Sequence, residues 1–392
     1  MVARTATAIA SLLCLVFTVE ATADTLTFRH FGEKVTRPGT VKTHYQDGTV
    51  LLEGLDTQLY LIPPSEIIDW QNKKSPLKPW SREQLRAALK KEYGGDFAVQ
   101  LTSHYAIVYD CDPALAEQAA TLLERAYAVF RARFAHRGAF VFEDLRQPLI
   151  AVIFKSRREY LDATKEDLGS TFGWSAGLYA QTSNRFYMFD SSEGALNRKA
   201  EVTTGGKTRK ASSLDAASIE VIVHEGTHQL AFNFGIHTRR AANPVWFVEG
   251  LATYFEASDA DSAEGWSRAG ELNPGRLAQF QAVMEKLPKG FLDTLVTRDQ
   301  LFHDPSTNGN AYAEAWALTY FLMRTKQTGY VRYVRANQAH GLMPFGAKDR
   351  LEDFKKAFGT TPSGMEIEFR RYMAGISLPG KSTAAANVSR RP

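Results

Sequence analysis

Residues 221–235, VIVHEGTHQLAFNFG, set His224 and His228 four apart with Glu225 directly after the first. On a helix, positions i and i+4 lie one above the other on a single face. Both imidazoles can therefore reach one ion, while Glu225 stands about a quarter-turn round. The rest of the stretch is apolar: Ile219, Val221, Ile222, Val223, Leu230, Phe232 and Phe234 surround the axis. A helix that is apolar on every side runs through a core rather than along a surface. Two imidazoles and a carboxylate carried into a core without partners cost about 1–3 kcal/mol each, and one metal ion satisfies all three. The competing reading is a pair of core histidines bonded to backbone carbonyls. Ser212 and Asp215 supply a start resembling a capping box and Gly235 a stop, which places the pattern mid-helix.

A catalytic zinc ion takes three protein ligands and leaves its fourth position to water. The next segment, NPVWFVEGLATYFEAS at 243–258, offers the missing one. Asn243 suits a cap and Pro244 a first helical position, and the apolar residues recur at helical spacing with Glu249 among them. Glu249 is the candidate third ligand. Thr253 and Glu256 follow at i+4 and i+7 on the same face, where their side chains are expected to bond the ligating histidines and fix their tautomers. The bland alternative for both is helix surface.

These residues resemble the gluzincins, the zinc peptidases of the thermolysin and aminopeptidase type, whose signature is HExxH followed by a helix reading W-x-x-E-G-x-A. Here the two parts read HEGTH and WFVEGLATYFE. With a later YAEAWALTYFL, the extended pattern looks most like a set of exported bacterial proteins grouped as a domain of unknown function with a peptidase MA-like fold. The likeness spans roughly residues 95–375. It implies an α+β, thermolysin-like zincin fold in which His224, His228 and Glu249 bind one zinc ion and Glu225 activates its water. It also implies a tyrosine or histidine on a later helix that steadies an oxyanion. Tyr312 is the candidate, at the start of a helix whose Tyr312, Trp316 and Tyr320 form a stripe; Trp316 and Tyr320 read as core packing.

Two departures narrow the resemblance. No GxMEN exopeptidase motif precedes the histidines, so an endopeptidase is expected; residues 175–190, SAGLYAQTSNRFYMFD, stand where a substrate-aligning edge strand belongs. The metzincin continuation is also missing, because Phe234 occupies the third-histidine position, and His237 is not expected to be a ligand. The implied activity is hydrolysis of an amide in a peptide or protein substrate. Two rivals stay open: a non-catalytic zinc-fold scaffold that binds peptide or glycan in a cell envelope, and a purely structural zinc site.

The chain around this pattern divides readily. Residues 1–23 read as a signal peptide, with Arg4, an apolar run from Ile9 to Val19 and Ala21-Thr22-Ala23 before Asp24, so a periplasmic or secreted protein is expected. Cys14 falls in that leader and leaves Cys111 as the one mature cysteine, which excludes an intrachain disulfide and predicts a buried, inert thiol or, alternatively, an intermolecular bridge. No later segment approaches the roughly 20 apolar residues of a membrane span. Charge is nearly balanced, with Lys+Arg 47 against Asp+Glu 43, and no basic run interleaves with aromatics as a nucleic-acid groove requires.

Residues 24–75 alternate apolar and polar positions around turns and predict a small β unit. Residues 76–94 form a linker and short helix, 95–376 the main domain and 377–392 a disordered tail. Within the main domain we expect one strand over 97–110, a helix from Asp112-Pro113 to about Phe134, a buried strand at PLIAVIFKS and strand-like pieces around Tyr179 and Tyr187. The basic stretch 197–210, NRKAEVTTGGKTRK, reads as a solvated loop or, alternatively, as a lid selecting acidic substrates. Helices are expected near 274–287, 310–326, 328–338, 347–358 and 363–375.

Overall fold

In the computed structural model, the described residues are 22–378 apart from 137–138, 169–174, 192–200, 205–206, 211–213, 258, 260–261, 263–264 and 342–344. They show an α+β chain with sheets in its N-terminal half and a C-terminal part that is mostly helical. Nearly all of the expected leader, Ser212 and most of the expected tail lie outside the described residues. The chain divides into two compact units, one running to Leu55 and resuming at Tyr60–Pro79, the other made of Asp56–Leu59 and everything from Trp80 onward.

The first unit holds a five-stranded sheet of β1 (Thr22–His30), β2 (Glu33–His44), β3 (Val50–Gly54), β4 (Leu59–Ile62, from Tyr60 on) and β5 (Ile67–Pro76), ordered β4-β3-β2-β1-β5, in which β1 pairs antiparallel with β2 and β5, and β2 with β3. Leu26, Phe28, Val50, Leu52, Tyr60 and Ile62 form its core. Asp24 is buried at the start of β1, where its carboxylate accepts from the Trp70 indole and the Asn72 amide, each at 2.9 Å.

The second unit opens with α1 (Arg82–Tyr93) and a five-stranded sheet of β6 (Ala98–Leu101), β7 (Tyr105–Tyr109), β8 (Leu149–Phe154), β9 (Gly177–Ala180) and β10 (Arg185–Phe189). The strand order is β6-β7-β8-β10-β9, with β7, β8 and β10 parallel and both edge strands antiparallel. Residues 97–110 are thus a hairpin rather than one strand; the chain turns at Thr102–His104, where the Glu124 carboxylate accepts from Thr102 Oγ1 and the His104 N–H.

All six residues of β8 are buried, as expected of a strand covered on both faces. Alternate side chains serve different cores. Tyr105, Ile107, Ala151 and Ile153 pack with α2 (Pro113–Ala135), while Ala106, Val108, Ile150 and Val152 pack with α1 and α3 (Arg157–Leu168). Cys111 lies buried in the first of these, and burial pushes its thiol up to about 12. A two-stranded hairpin, β11 (Glu201–Thr204) with β12 (Lys207–Lys210), occupies much of the stretch read as a loop.

The remainder is helical: α4 (Ala216–Asn233), α5 (Val245–Phe255), α6 (Pro274–Met284), α7 (Phe291–Thr297), α8 (Asn308–Thr325), α9 (Gln327–His340), α10 (Ala347–Phe358) and α11 (Pro362–Ala374). None is long and apolar enough to cross a membrane. Asp215 caps α4 through Ser218 N, and Gly235 leaves that helix with a left-handed φ of 71°. Asn243 does not cap α5. Its side chain closes the preceding turn on Thr238, Pro244 is the N-cap, and the Val245 N–H is taken by Asp299, 54 residues away.

Candidate metal centre

The residues between and after the histidines, Gly226, Thr227 and Gln229, are all buried, and two of them fix the helix against its neighbours. Gly226 admits α2: a Cβ there would stand 2.9 Å from Leu123 Cδ2. Thr227 is buried and returns its hydroxyl to Val223 O. Gln229, fully buried, donates to the carbonyls of Ile150 and Asn184 and so ties α4 to β8 and the β9–β10 turn. On α5, Gly250 does the same beside Glu249, because a Cβ would overlap Thr319 Oγ1 and come within 2.8 Å of Ala315 O on α8. Both ligand-bearing helices are thus pressed against their supports at glycines.

That packing brings three donor atoms together. His224 Nε2 and His228 Nε2 are 3.1 Å apart, and Glu249 Oε2 lies 3.4 Å from the first and 3.5 Å from the second. Bonds of about 2.0–2.1 Å in tetrahedral geometry separate ligand atoms by about 3.3 Å, so the three stand at corners suited to one ion. The set is positioned to hold a metal. The chemistry of the donors fits as well. His224 Nδ1 meets Glu256 Oε2 at 2.8 Å, a contact that places the ring proton on Nδ1 and leaves a lone pair on Nε2 facing the other two ligands. Burial opposes charge on His224, yet bonds to Glu249 and Glu256 outweigh it and raise its pKa well above the ordinary value. Burial likewise opposes charge on Glu249, but both histidines lower its pKa strongly. Such mutual stabilisation marks a pocket that favours a cation.

Glu256, at the C-cap of α5, binds His224 as its spacing suggested. Its other oxygen accepts from Arg276 Nε at 3.0 Å and Asn273 Nδ2 at 3.4 Å, both at the start of α6. Burial alone would raise the Glu256 carboxyl; the bonds and charges of His224 and Arg276 hold it below the usual range. Thr253 makes neither expected contact: its buried hydroxyl bonds back to Glu249 O at 2.7 Å and Gly250 O at 3.1 Å, which removes it from the histidines. His228 Nδ1 has no protein hydrogen-bond partner. His237 lies buried between Phe232 and Phe247, outside the ligand set.

Glu225 is half-buried beside this centre, and its Oε2 accepts the Tyr179 N–H at 2.6 Å from edge strand β9. Tyr312, half-buried on α8, sits where the charge of Glu249, then burial, then the charge of Glu225 raise its pKa, so its hydroxyl keeps its proton. The Arg276 guanidinium lies 5.8 Å from the centre of its ring. The Glu225 carboxylate, the Tyr312 phenol and the Arg276 guanidinium thus lie near the three donors, the last of them held by Glu256. Arg276, Gln229 and Tyr179 carry no sequence signal of this role, since each acts through a contact with a distant element.

A family described as a protein of unknown function (DUF1570) matches residues 218–343, which include all three ligands, Glu225, Arg276 and Tyr312. No curated protein matches the chain.

Proposed function

We propose that this chain is an exported zinc-dependent hydrolase with a thermolysin-like zincin fold that cleaves peptide bonds within chains. The observation that carries the reading is the triangle of His224, His228 and Glu249, with Glu225 next to His224 in the chain and Tyr312 close enough to feel the charges of Glu249 and Glu225. Two imidazoles and one carboxylate match the ligand set of zinc peptidases. A zinc ion held there supplies a Lewis acid that makes water acidic near neutral pH and polarises a carbonyl.

The chain's own residues do the rest. Glu225 accepts a proton from the attacking water through the oxygen not engaged by Tyr179 and passes it to the leaving amine. Tyr312, kept protonated by the neighbouring carboxylates, donates to the oxyanion as charge develops. Glu256 holds His224 in the tautomer that presents Nε2, and Arg276 holds Glu256. A purely structural ion has its coordination closed by protein, whereas the group here offers three donors, which leaves one position for water or substrate with Glu225 and Tyr312 nearby.

The test is cleavage of a complex peptide library by the purified protein, read by mass spectrometry with and without a chelator. Internal cuts that vanish with chelation and return with zinc are expected. Zinc bound one to one with no peptide cut would favour the scaffold reading or a non-peptide amide substrate.

A further inference from the structure

We infer that Gly177 and the Tyr179 amide on edge strand β9 form a seat that aims Glu225, which makes β9 a positioning element of the reaction. The inference rests on the hydrolase reading above and deepens it.

A general base one residue along the helix from a ligand is free to swing unless something holds its carboxylate. Tyr179 N–H takes Glu225 Oε2 at 2.6 Å. That donor is itself fixed, because β9 is paired with β10 in the register Phe186↔Tyr179, Tyr187↔Leu178 and Met188↔Gly177. Across a β-strand successive peptide groups point to opposite edges, so the Tyr179 amide faces away from β10, toward α4.

The donor reaches Glu225 only because β9 lies unusually close to α4. At Gly177 a Cβ would overlap Val221 Cγ1 and stand 3.3 Å from Glu225 Cγ and 3.3 Å from Tyr187 O. Only hydrogen fits between the strand and the helix at this point. Gly177 shows no left-handed backbone, so close approach is the reason for glycine here rather than a turn. The Ser175 hydroxyl, which donates to Gly177 O, closes the outward carbonyl of the same strand. One carboxylate oxygen is thereby committed to the strand and the other is left for proton transfer. A displacement of about 1 Å in such a group costs on the order of 100-fold in rate.

The experiment compares wild type, Gly177→Ala, Val221→Ala and the double variant, each assayed for bound metal, kcat and KM on a peptide from the library. Gly177→Ala should keep its metal and a KM within about threefold of wild type while kcat falls at least tenfold. Val221→Ala should behave as wild type, and adding it to Gly177→Ala should restore most of kcat, because it removes the methyl that the new Cβ meets. A merely structural glycine would not give this split or this rescue. Wild-type kcat in Gly177→Ala, or a double variant no faster than the single, overturns the seat.

Hydrogen exchange at the Tyr179 amide gives a readout independent of turnover: it should be protected in wild type and at least tenfold faster in Glu225→Ala. Equal exchange in the two overturns the seat even if the enzyme is active. Absence of any turnover in wild type removes the hydrolase reading, and the exchange comparison still decides whether the seat exists.

Discussion

Two histidines close together in the chain, the half-buried His224 on α4 and the buried His237 just beyond it, occupy opposite electrostatic worlds. His224 lies against the Glu249 and Glu256 carboxylates, which overcome burial and favour positive charge on or beside the ring. His237 is 1% exposed among aromatic rings, 4.7 Å from that of Phe247 and 5.2 Å from that of Phe232, and neither of its nitrogens has a hydrogen-bond partner. Burial first, and then the charge of His228, lowers its pKa to about 3. Burial by itself makes an imidazole neutral; facing carboxylates turn it into part of a cation site. The difference lies in the neighbours, not in the residue.

The largest effect should come from removing a carboxylate that faces the pair directly. Glu249→Gln keeps the shape of the site but withdraws its charge, and metal affinity measured by competition with a chelator should fall by more than about 100-fold, beyond the range typical of an outer partner. Glu256→Gln should fall within that range, about 10–100-fold, because it only orients His224. An equal loss in both variants would erase the distinction between ligand and support.

His237→Leu sharpens the comparison from the other side. Metal affinity should stay within about threefold of wild type, and stability should be unchanged or higher, since two buried nitrogens without partners disappear. The pH dependence has a definite sign. With a folded pKa of about 3 against an ordinary 6.5, the unfolded chain binds the extra proton between those values. His237 therefore weakens folding as pH drops through that window, by up to about 1.4 kcal/mol per unit. Denaturant titrations between pH 4 and 7 should show a shallower fall for the leucine variant; parallel slopes would place a charged or bonded His237 in the folded protein. The smallest effect is expected for Thr253→Val, which loses bonds to its own helix only: about 1 kcal/mol of stability or less, with metal affinity unchanged.

What the sequence made legible follows the range of the interactions. The helix that carries His224 and His228 could be read because its spacing and its apolar surroundings are local, and Glu249 stood out as a carboxylate within an apolar helix. Helices α8 and α10 were expected close to their observed bounds for the same reason. By contrast, α3 escaped because it is polar apart from the few residues that touch the sheet, such as Tyr160 and Leu161. The seven-residue α7 is too short for periodicity to show. The turn at Thr102–His104 has no glycine or proline and is held by Glu124 from α2. Asn243 looked like a cap, but Asp299 supplies the acceptor from another part of the fold. Thr253 shares a face with Glu256, yet a threonine hydroxyl on a helix is short enough to bond back to the preceding turn, whereas the longer glutamate reaches His224. Arg276 and Gly177 owe their places to Glu256 and Val221, contacts between elements that no window of sequence contains.

The most direct test of the account is the turnover of Glu225→Gln carrying a full complement of metal, assayed on a peptide that wild type cleaves, with metal content measured on the same sample. The account predicts one zinc ion per chain and kcat reduced by at least about 100-fold, since the ligands are untouched and only proton transfer is lost. Full metal occupancy with kcat within a few-fold of wild type would contradict it, and would move the base to another residue of the site.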